Sequence, residues 1–268
     1  MRKLSILGIG LLLSSACSFT PQLAPELTLP KKPLLKKEVM FLTYSAKQNP
    51  VRIKSVQLPA HPIYKSNRVW VDPKSQQLTE SQYKVVVNQL AELGLIVADS
   101  NDADYILNVQ QLSVERTPDI DLQVQQNKNT SKQSVEVVKN NQSKQCSNYE
   151  VKVSFRLNHK KSADVVWIAQ ASLNSHTFIN KPVVYKFTQQ QVISNEQVVV
   201  DFVNLHNTEA ARKQRFDQAV SIPEYQVTVQ TSPLTKVSGL CTNDEVSAVT
   251  TDIETHLIAE LMAKLKVR

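Results

Sequence analysis

The chain has 268 residues, a formal net charge of +7 and 41% hydrophobic residues, which fits one large or two small domains with a sizeable core. Two tryptophans and seven residues each of Tyr and Phe argue against general disorder. Of four glycines, Gly8 and Gly10 fall in an N-terminal apolar run, which leaves Gly94 and Gly239. Two glycines cannot build a glycine-rich phosphate loop or a dinucleotide-binding fingerprint, so these nucleotide-binding classes are excluded.

The first sixteen residues have the organisation of an export signal. Arg2 and Lys3 precede an apolar run over residues 4–13, which is followed by the small residues Ser14, Ser15 and Ala16. A helix that spans a bilayer needs about 20 apolar residues, so this run is too short to stay in a membrane. The pattern predicts a signal peptide over residues 1–16 that is removed during export.

Two cleavage chemistries fit the end of this signal. Ser15-Ala16-Cys17 resembles the lipobox of bacterial lipoproteins, although Ser14 stands where that pattern usually has Leu. The resemblance implies that Cys17 becomes a lipidated N-terminus, and Ser18 after it implies sorting to the outer membrane. Ser14 and Ala16 also satisfy the small-x-small rule of ordinary signal peptidase, which would release a soluble periplasmic protein.

The cysteine count favours lipidation. An exported chain with three cysteines has one left over after pairing, and a lipidated Cys17 leaves Cys146 and Cys241 as a pair in an oxidising compartment. The alternative is two buried free thiols. No CxxC motif and no nearby group of histidines accompany these cysteines, so the sequence has no zinc signature.

The segment after Cys17 has the composition of a tether. Residues 17–38 contain four prolines and four lysines and lack an apolar period. Proline-rich segments extend by roughly 3 Å per residue, so we expect a lipidated Pro/Lys-rich tether. Its lysines either contact anionic lipid headgroups or only keep a solvated linker soluble.

The first half of the folded region predicts strands and one helix. Thr79 and Gln82 form a capping-box pattern, and the apolar residues that follow recur at helical spacing, so a helix is predicted from Thr79 to Leu93 with Gly94 after its end. Strands are predicted over residues 51–59, 68–72, 95–98 and 103–115.

A polar insertion is predicted near residues 123–148, either as a long hairpin or as a mobile segment. Clean alternation of apolar and polar residues over 150–157 then predicts a half-buried antiparallel strand. A turn over 159–164 leads to a returning strand over 165–176. Beyond it we expect a strand over 183–187, helical or irregular structure over 189–220, and a strand over 225–230.

The chain closes on a predicted amphipathic helix. Thr242 and Glu245 form a second capping box, and a stripe from Val246 to Leu265 is apolar at helical spacing. The predicted fold class is therefore α+β. One domain over 39–268 would contain an antiparallel or mixed sheet, with an amphipathic helix after the early strands and a C-terminal helix packed on it.

Several of these segments resemble small proteobacterial outer-membrane lipoproteins and, more loosely, the TraT family of surface-exclusion lipoproteins. The resemblance lies in the segments 69–71, 94–97, 102–107 and 225–229 together with the two helices. It implies an envelope lipoprotein. The chain lacks the glycine-rich middle segments of the TraT family, and no functional residue is carried over.

No catalytic or metal-binding constellation is predicted. The five histidines (His61, His159, His176, His206 and His256) are dispersed without HExxH, GxSxG or Cys-His spacing. The acidic residues Asp99, Asp102 and Asp104 lack the glycine and glutamate of a calcium loop. The basic residues Arg212, Lys213 and Arg215 are interpreted as a solvated helix face.

These observations predict a membrane-anchored envelope lipoprotein that binds, or has a structural role with, another envelope component. The expected partner is an envelope protein or an anionic glycan or lipid, and the expected location is the outer membrane with the domain facing the periplasm. No enzyme activity, cofactor, small-molecule substrate or nucleic acid is expected. The alternatives are a surface-exposed exclusion or host-defence lipoprotein and, least favoured, an envelope hydrolase.

Overall fold

The computed structural model describes residues 23–47, 49–59, 61–73, 78–125, 134–216 and 218–268. The predicted signal peptide and Cys17 lie outside these residues. The described chain contains ten strands, which pair mostly antiparallel, and seven helices, so the predicted α+β class is confirmed. Contacts divide the chain into two compact units, which the sequence did not predict. Unit 1 comprises Met1–Glu38 and Thr188–Ser232, and unit 2 comprises Val39–Phe187 and Pro233–Arg268.

Unit 2 is built on a sheet with a central antiparallel order β1-β5-β6-β7-β2. These strands are β1 (Lys37–Ser45), β2 (Arg52–Gln57), β5 (Tyr105–Val124), β6 (Ser143–His159) and β7 (Val165–Asn174). At one end β3 (Arg68–Val71) pairs in parallel with both β4 (Ile96–Val97) and β5. The Val183–Phe187 part of β8 (Val183–Ile193) pairs with β10 (Thr235–Ser238).

Helix α1 (Glu80–Glu92) forms as its capping box predicts. The Thr79 hydroxyl accepts a hydrogen bond from the Gln82 amide at 3.3 Å, and the Gln82 side-chain oxygen accepts one from the Thr79 amide at 2.9 Å. Gly94 follows the helix with φ +80°, a backbone conformation that residues other than glycine rarely adopt. The local sequence therefore sets both ends of this helix.

The closing helix is divided, which corrects the prediction of one continuous helix. It consists of α6 (Asn243–Ser247) and α7 (Thr250–Met262). The two residues between the helices are Ala248 and Val249, and Val249 begins a run of three β-branched residues, a type with low helix propensity. The predicted stripe is nevertheless buried, since Val246, Ile253 and Leu257 have no exposed surface.

One face of the sheet packs against α1 and α7. The predicted alternation in β6 is confirmed, because every second residue from Val151 to Leu157 is at most 1% exposed. These side chains share one hydrophobic cluster with Trp167 and with Leu257 of α7. The cluster fixes which face of each strand is buried, and the polar residues between them lie on the other face.

The base of the predicted polar insertion is a hairpin, which is the first of its two expected forms, and it packs in a second, smaller cluster of unit 2. Strand β5 runs to Val124 and β6 begins at Ser143, with Ile120 opposite Cys146 in the ladder, so the base of the segment is a paired hairpin. Helix α2 (Ser134–Asn140) precedes β6. Leu122 packs there with Tyr44 of β1, a strand that was not predicted.

Unit 1 consists of residues 23–38 together with α4 (Glu196–His206), α5 (Glu209–Gln214), the end of β8, and β9 (Val227–Thr231). The end of β8 pairs with β9, so residues 189–193 form a strand where helical or irregular structure was expected. Residues 23–38 differ from a free tether. Ala24 is only 3% exposed, and the backbone of Leu27 exchanges two hydrogen bonds with the Asn207 side chain.

Candidate functional site: the open face of the sheet

The face of the sheet opposite α1 and α7 is accessible across β2, β7, β6 and β5, and we call it the open face. It is mostly polar, with the exposed apolar residues Val56 and Ile168 in the same row as Arg156. It is defined by Arg52, Lys54, Gln111, Lys152, Arg156 and Gln170. These residues alternate along their strands with the buried residues of the main core. The alternation that buries one set of side chains in the core therefore places this polar set together on the opposite face.

Cross-strand pairing arranges the open face in rows. One row runs Lys54, Gln170, Ser154 and Gln111, and the next runs Arg52, Ser172, Lys152 and Ser113. Directly opposite residues in neighbouring strands have Cβ atoms roughly 5 Å apart. Each row is therefore a line of polar side chains about 15 Å long, across four strands that lie about 4.8 Å apart.

The open face carries four basic residues (Arg52, Lys54, Lys152 and Arg156) and two acidic ones (Glu115 and Glu150). Lys152 Nζ bonds Glu115 at 2.7 Å and Glu150 at 3.2 Å, and these contacts raise the pKa of Lys152 and keep it protonated. Arg52 and Lys54 form no ion pair with any residue that the structure describes. Both side chains are exposed and free to bind an external anionic group.

Two buried polar atoms beside these rows lack a hydrogen-bond partner within the described chain. They are the donor Nε of Arg156 and the acceptor Oδ1 of Asn158, on the same strand. Buried polar atoms are nearly always hydrogen-bonded in folded proteins. Both atoms therefore have unused hydrogen-bonding capacity next to the cationic rows.

The surface here is shallow rather than enclosed. A depression of about 230 Å³ is bordered by Arg52, Lys54, Gln111, Lys152 and Gln170. A second depression, of about 290 Å³, shares Arg52 with the first and extends to Asn148. Small-molecule sites bury most of their ligand, so this open shape suits an extended or macromolecular partner better.

A buried polar network supports the end of this region. The Asn148 side chain donates to Thr117 Oγ1 at 2.7 Å and accepts from Ser175 Oγ at 3.0 Å. His176, in the short helix α3 (Ser175–Ile179), contacts the Ser147 carbonyl through Nε2 at 2.8 Å. Burial lowers the pKa of His176, so the neutral imidazole is favoured and Nε2 donates.

The structure brings together two histidines that looked dispersed in the sequence. The His61 and His159 rings stack with centroids 4.4 Å apart, and His61 Nε2 lies 2.7 Å from Asp164 Oδ2. Ser162 Oγ lies 3.0 Å from His159 Nδ1 and 3.4 Å from the same His61 Nε2. A catalytic triad needs the carboxylate and the hydroxyl on opposite nitrogens of one imidazole, and this cluster lacks that arrangement.

The cysteines singled out in the sequence have different outcomes. Cys17 lies outside the described residues. Cys146 and Cys241 have sulfurs 1.94 Å apart and Cα atoms 4.5 Å apart, a geometry compatible with a disulfide across 95 residues. Formation of that bond in the exported protein stays a prediction.

The interpretation of the basic cluster at residues 212–215 as a solvated helix face is wrong for Arg215. Arg215 is only 7% exposed, and it donates hydrogen bonds to the carbonyls of His206 and Pro25. Arg212 donates to the Ala24 carbonyl and pairs with Glu26. Both arginines therefore hold residues 24–26 in place, a role that depends on contacts about 190 residues apart.

Two absences concern the described residues. Within them, no three or more His, Cys, Asp or Glu side chains are grouped so as to hold a metal ion. None of the helices in that part of the chain is long and apolar enough to cross a membrane.

Comparison with known proteins identifies distant structural neighbours only. No protein-family model and no curated protein matches the chain. Among solved structures, the PelC dodecamer of Paraburkholderia phytofirmans is 13% identical, with a TM-score of 0.32, over 82% of this chain and 100% of that one. A PelC variant is 16% identical, with a TM-score of 0.28, over 47% of this chain and 82% of that one. A PDZ domain protein from Parabacteroides distasonis is 9% identical, with a TM-score of 0.28, over 59% of this chain and 40% of that one. We draw no functional inference from these likenesses.

Proposed function

We propose that this protein is an outer-membrane lipoprotein, anchored through Cys17, that binds another component of the cell envelope through its open face. The observation that carries the binding role is the polar surface across four strands, with the unpaired cations Arg52 and Lys54 on its β2 edge. The anchoring role is supported by the signal-like segment that ends in Ser15-Ala16-Cys17.

The exposed basic side chains of the open face favour an anionic partner. Exposed guanidinium and ammonium groups bind carboxylates and phosphates, and rows of serine and glutamine side chains add hydrogen bonds. Envelope polymers and acidic protein segments present anionic groups along an extended chain. We therefore expect a partner that lies along the rows rather than a molecule enclosed in a pocket.

The anchor is tested by fractionation of cells that produce the Cys17→Ser variant. Two acyl chains give stable membrane attachment, so loss of the acylated thiol releases the protein into the soluble periplasmic fraction. A matched Cys146→Ser/Cys241→Ser variant keeps Cys17 and should remain in the membrane fraction. If Cys17→Ser still pellets with outer membranes after a high-salt wash, the lipid-anchor proposal is wrong.

The binding surface is tested with a photo-crosslinking amino acid in place of Gln170, at the centre of the open face. We expect an adduct with an envelope component in intact cells. Lys54→Glu should reduce its yield severalfold, because it reverses one charge of the site. Lys84→Glu, the same change on exposed α1, is the control. Equal yields with both substitutions would contradict binding through the open face.

Orientation distinguishes this proposal from the surface-exposed alternative. A domain that faces the periplasm is protected from protease added to intact cells and is digested once the outer membrane is permeabilised. Digestion in intact cells would favour an exclusion or host-defence role at the cell surface.

A further inference from the structure

Among the described residues of unit 1, more large hydrophobic side chains are exposed than buried. Nine of the nineteen large exposed hydrophobic side chains in the described residues belong to it. Among its described residues, Ala24, Val199 and Val203 are the buried hydrophobic ones, and neither hydrophobic cluster includes a described residue of unit 1. Such an imbalance is typical of a surface that meets another apolar phase.

Helix α4 carries the clearest part of this surface. Its sequence is apolar on two faces, and Val199 and Val203 are buried on one of them. On the other, Val198 is 60% exposed and Leu205 is 66% exposed, with half-buried Phe202 between them. The spacing of four and three residues places these three side chains in one stripe, which we call the α4 stripe.

The N-terminal segment is bound at the end of this helix. Leu27 is hydrogen-bonded to Asn207, two residues after Leu205. Arg212 and Arg215 bind the carbonyls of Ala24 and Pro25, and Arg215 also donates to the carbonyl of His206. The same few residues thus fasten the start of the described chain to the C-terminal end of α4.

The length of chain before Ala24 then limits the distance to the anchor. Seven residue steps separate Cys17 from Ala24, and a fully extended chain spans at most about 3.5 Å per residue. Ala24 therefore lies within about 25 Å of Cys17 whatever conformation the intervening residues adopt. A lipidated Cys17 lies at the membrane surface, so the C-terminal end of α4 is within reach of the same membrane.

We propose that the α4 stripe inserts into the interfacial region of the membrane that holds the lipid anchor. This inference rests on the proposed lipidation of Cys17. Val198, Phe202 and Leu205 would enter the boundary between headgroups and acyl chains, while the polar flank with Asn204 stays in water. The exposed Lys31, Lys36 and Lys37 would favour an anionic leaflet, whereas Lys32 is paired with Glu196.

The test uses the full lipidated chain in vesicles of phosphatidylethanolamine and phosphatidylglycerol that carry a radiolabelled lipid. A photo-crosslinking amino acid replaces Leu205 in one sample and Asn204 in the control, since both positions are exposed on the same helix but point about 100° apart. We expect at least about a threefold higher yield of labelled protein with the probe at Leu205. In the protein with the probe at Leu205, Val198→Asp should lower the yield of labelled protein and Gln197→Asp should not.

Equal labelling at the two positions would overturn the proposal, and so would crosslinks from Leu205 to a second copy of the chain. An unchanged thermal midpoint of each variant shows that the substitutions act on the surface and not on folding. Release of Cys17→Ser in fractionation, together with equal labelling, would refute the α4 stripe but leave the lipid anchor in place. Retention of Cys17→Ser would refute the anchor itself.

Discussion

The Glu245 carboxylate is held by an ion pair and two backbone amides, and its loss should destabilise the C-terminal part of unit 2. It binds Lys236 and accepts hydrogen bonds from the backbone amides of Cys241 and Thr242, each at 3.0 Å. These contacts lower the pKa of Glu245 from 4.5 to about 2. The hydrogen bond from Lys236 makes the largest contribution, and the two backbone amides make the next largest. The charged form is therefore strongly preferred in the folded protein.

The expected cost of Glu245→Gln follows from this pKa. At about 1.4 kcal/mol per tenfold change in proton affinity, the pKa difference corresponds to at most roughly 3.5 kcal/mol. The Glu245 side chain is 34% exposed, so solvent screens part of the interaction. We expect a loss of about 1 to 2 kcal/mol in the free energy of unfolding at neutral pH.

The sign of the pH dependence is fixed by the lowered pKa. A carboxylate with a folded pKa below its unfolded value contributes stability that is present above about pH 4.5 and is lost as the pH falls toward 2. The difference between wild type and Glu245→Gln should therefore shrink on acidification.

Urea unfolding of the Cys17→Ser chain at pH 7 and pH 3 measures this difference. Glu260→Gln is a matched control on α7, since Glu260 forms no ion pair with a described residue. A Glu245→Gln cost below about 0.3 kcal/mol at pH 7, or the same cost at both pH values, would refute the reasoning.

Three further predictions concern stability. Reduction of a Cys146–Cys241 bond should lower the free energy of unfolding by up to about 4 to 5 kcal/mol, measured by urea unfolding with and without reductant, and two free thiols in the exported protein would contradict it. Because burial lowers the pKa of His176, stability should fall as the pH drops through about 6.5, and a pH series in which His176→Gln shows the same fall would contradict this. Leu257→Ala should cost about 2 to 5 kcal/mol by chemical denaturation, whereas exposed Leu205→Ala should change stability by less than about 0.5 kcal/mol; equal costs would contradict the assigned burial.

The sequence by itself predicts the features that neighbouring residues determine. The capping box of Thr79 and Gln82 and the left-handed conformation of Gly94 depend only on neighbouring residues. Both ends of α1 could therefore be predicted from the sequence. The alternation in β6 likewise predicts which of its residues are buried, because a strand has a fixed two-residue period. Together these patterns define the α+β class and the half-buried character of the sheet.

Tertiary structure alone decides how distant segments meet. The rows of the open face exist only because β2, β7, β6 and β5 pair in one register, and no local pattern carries that register. The stacking of His61 on His159 joins residues about 100 positions apart. Arg215 looks solvated in sequence but is buried once its guanidinium binds the Pro25 carbonyl. Such contacts follow from chain topology, which short-range propensity does not encode.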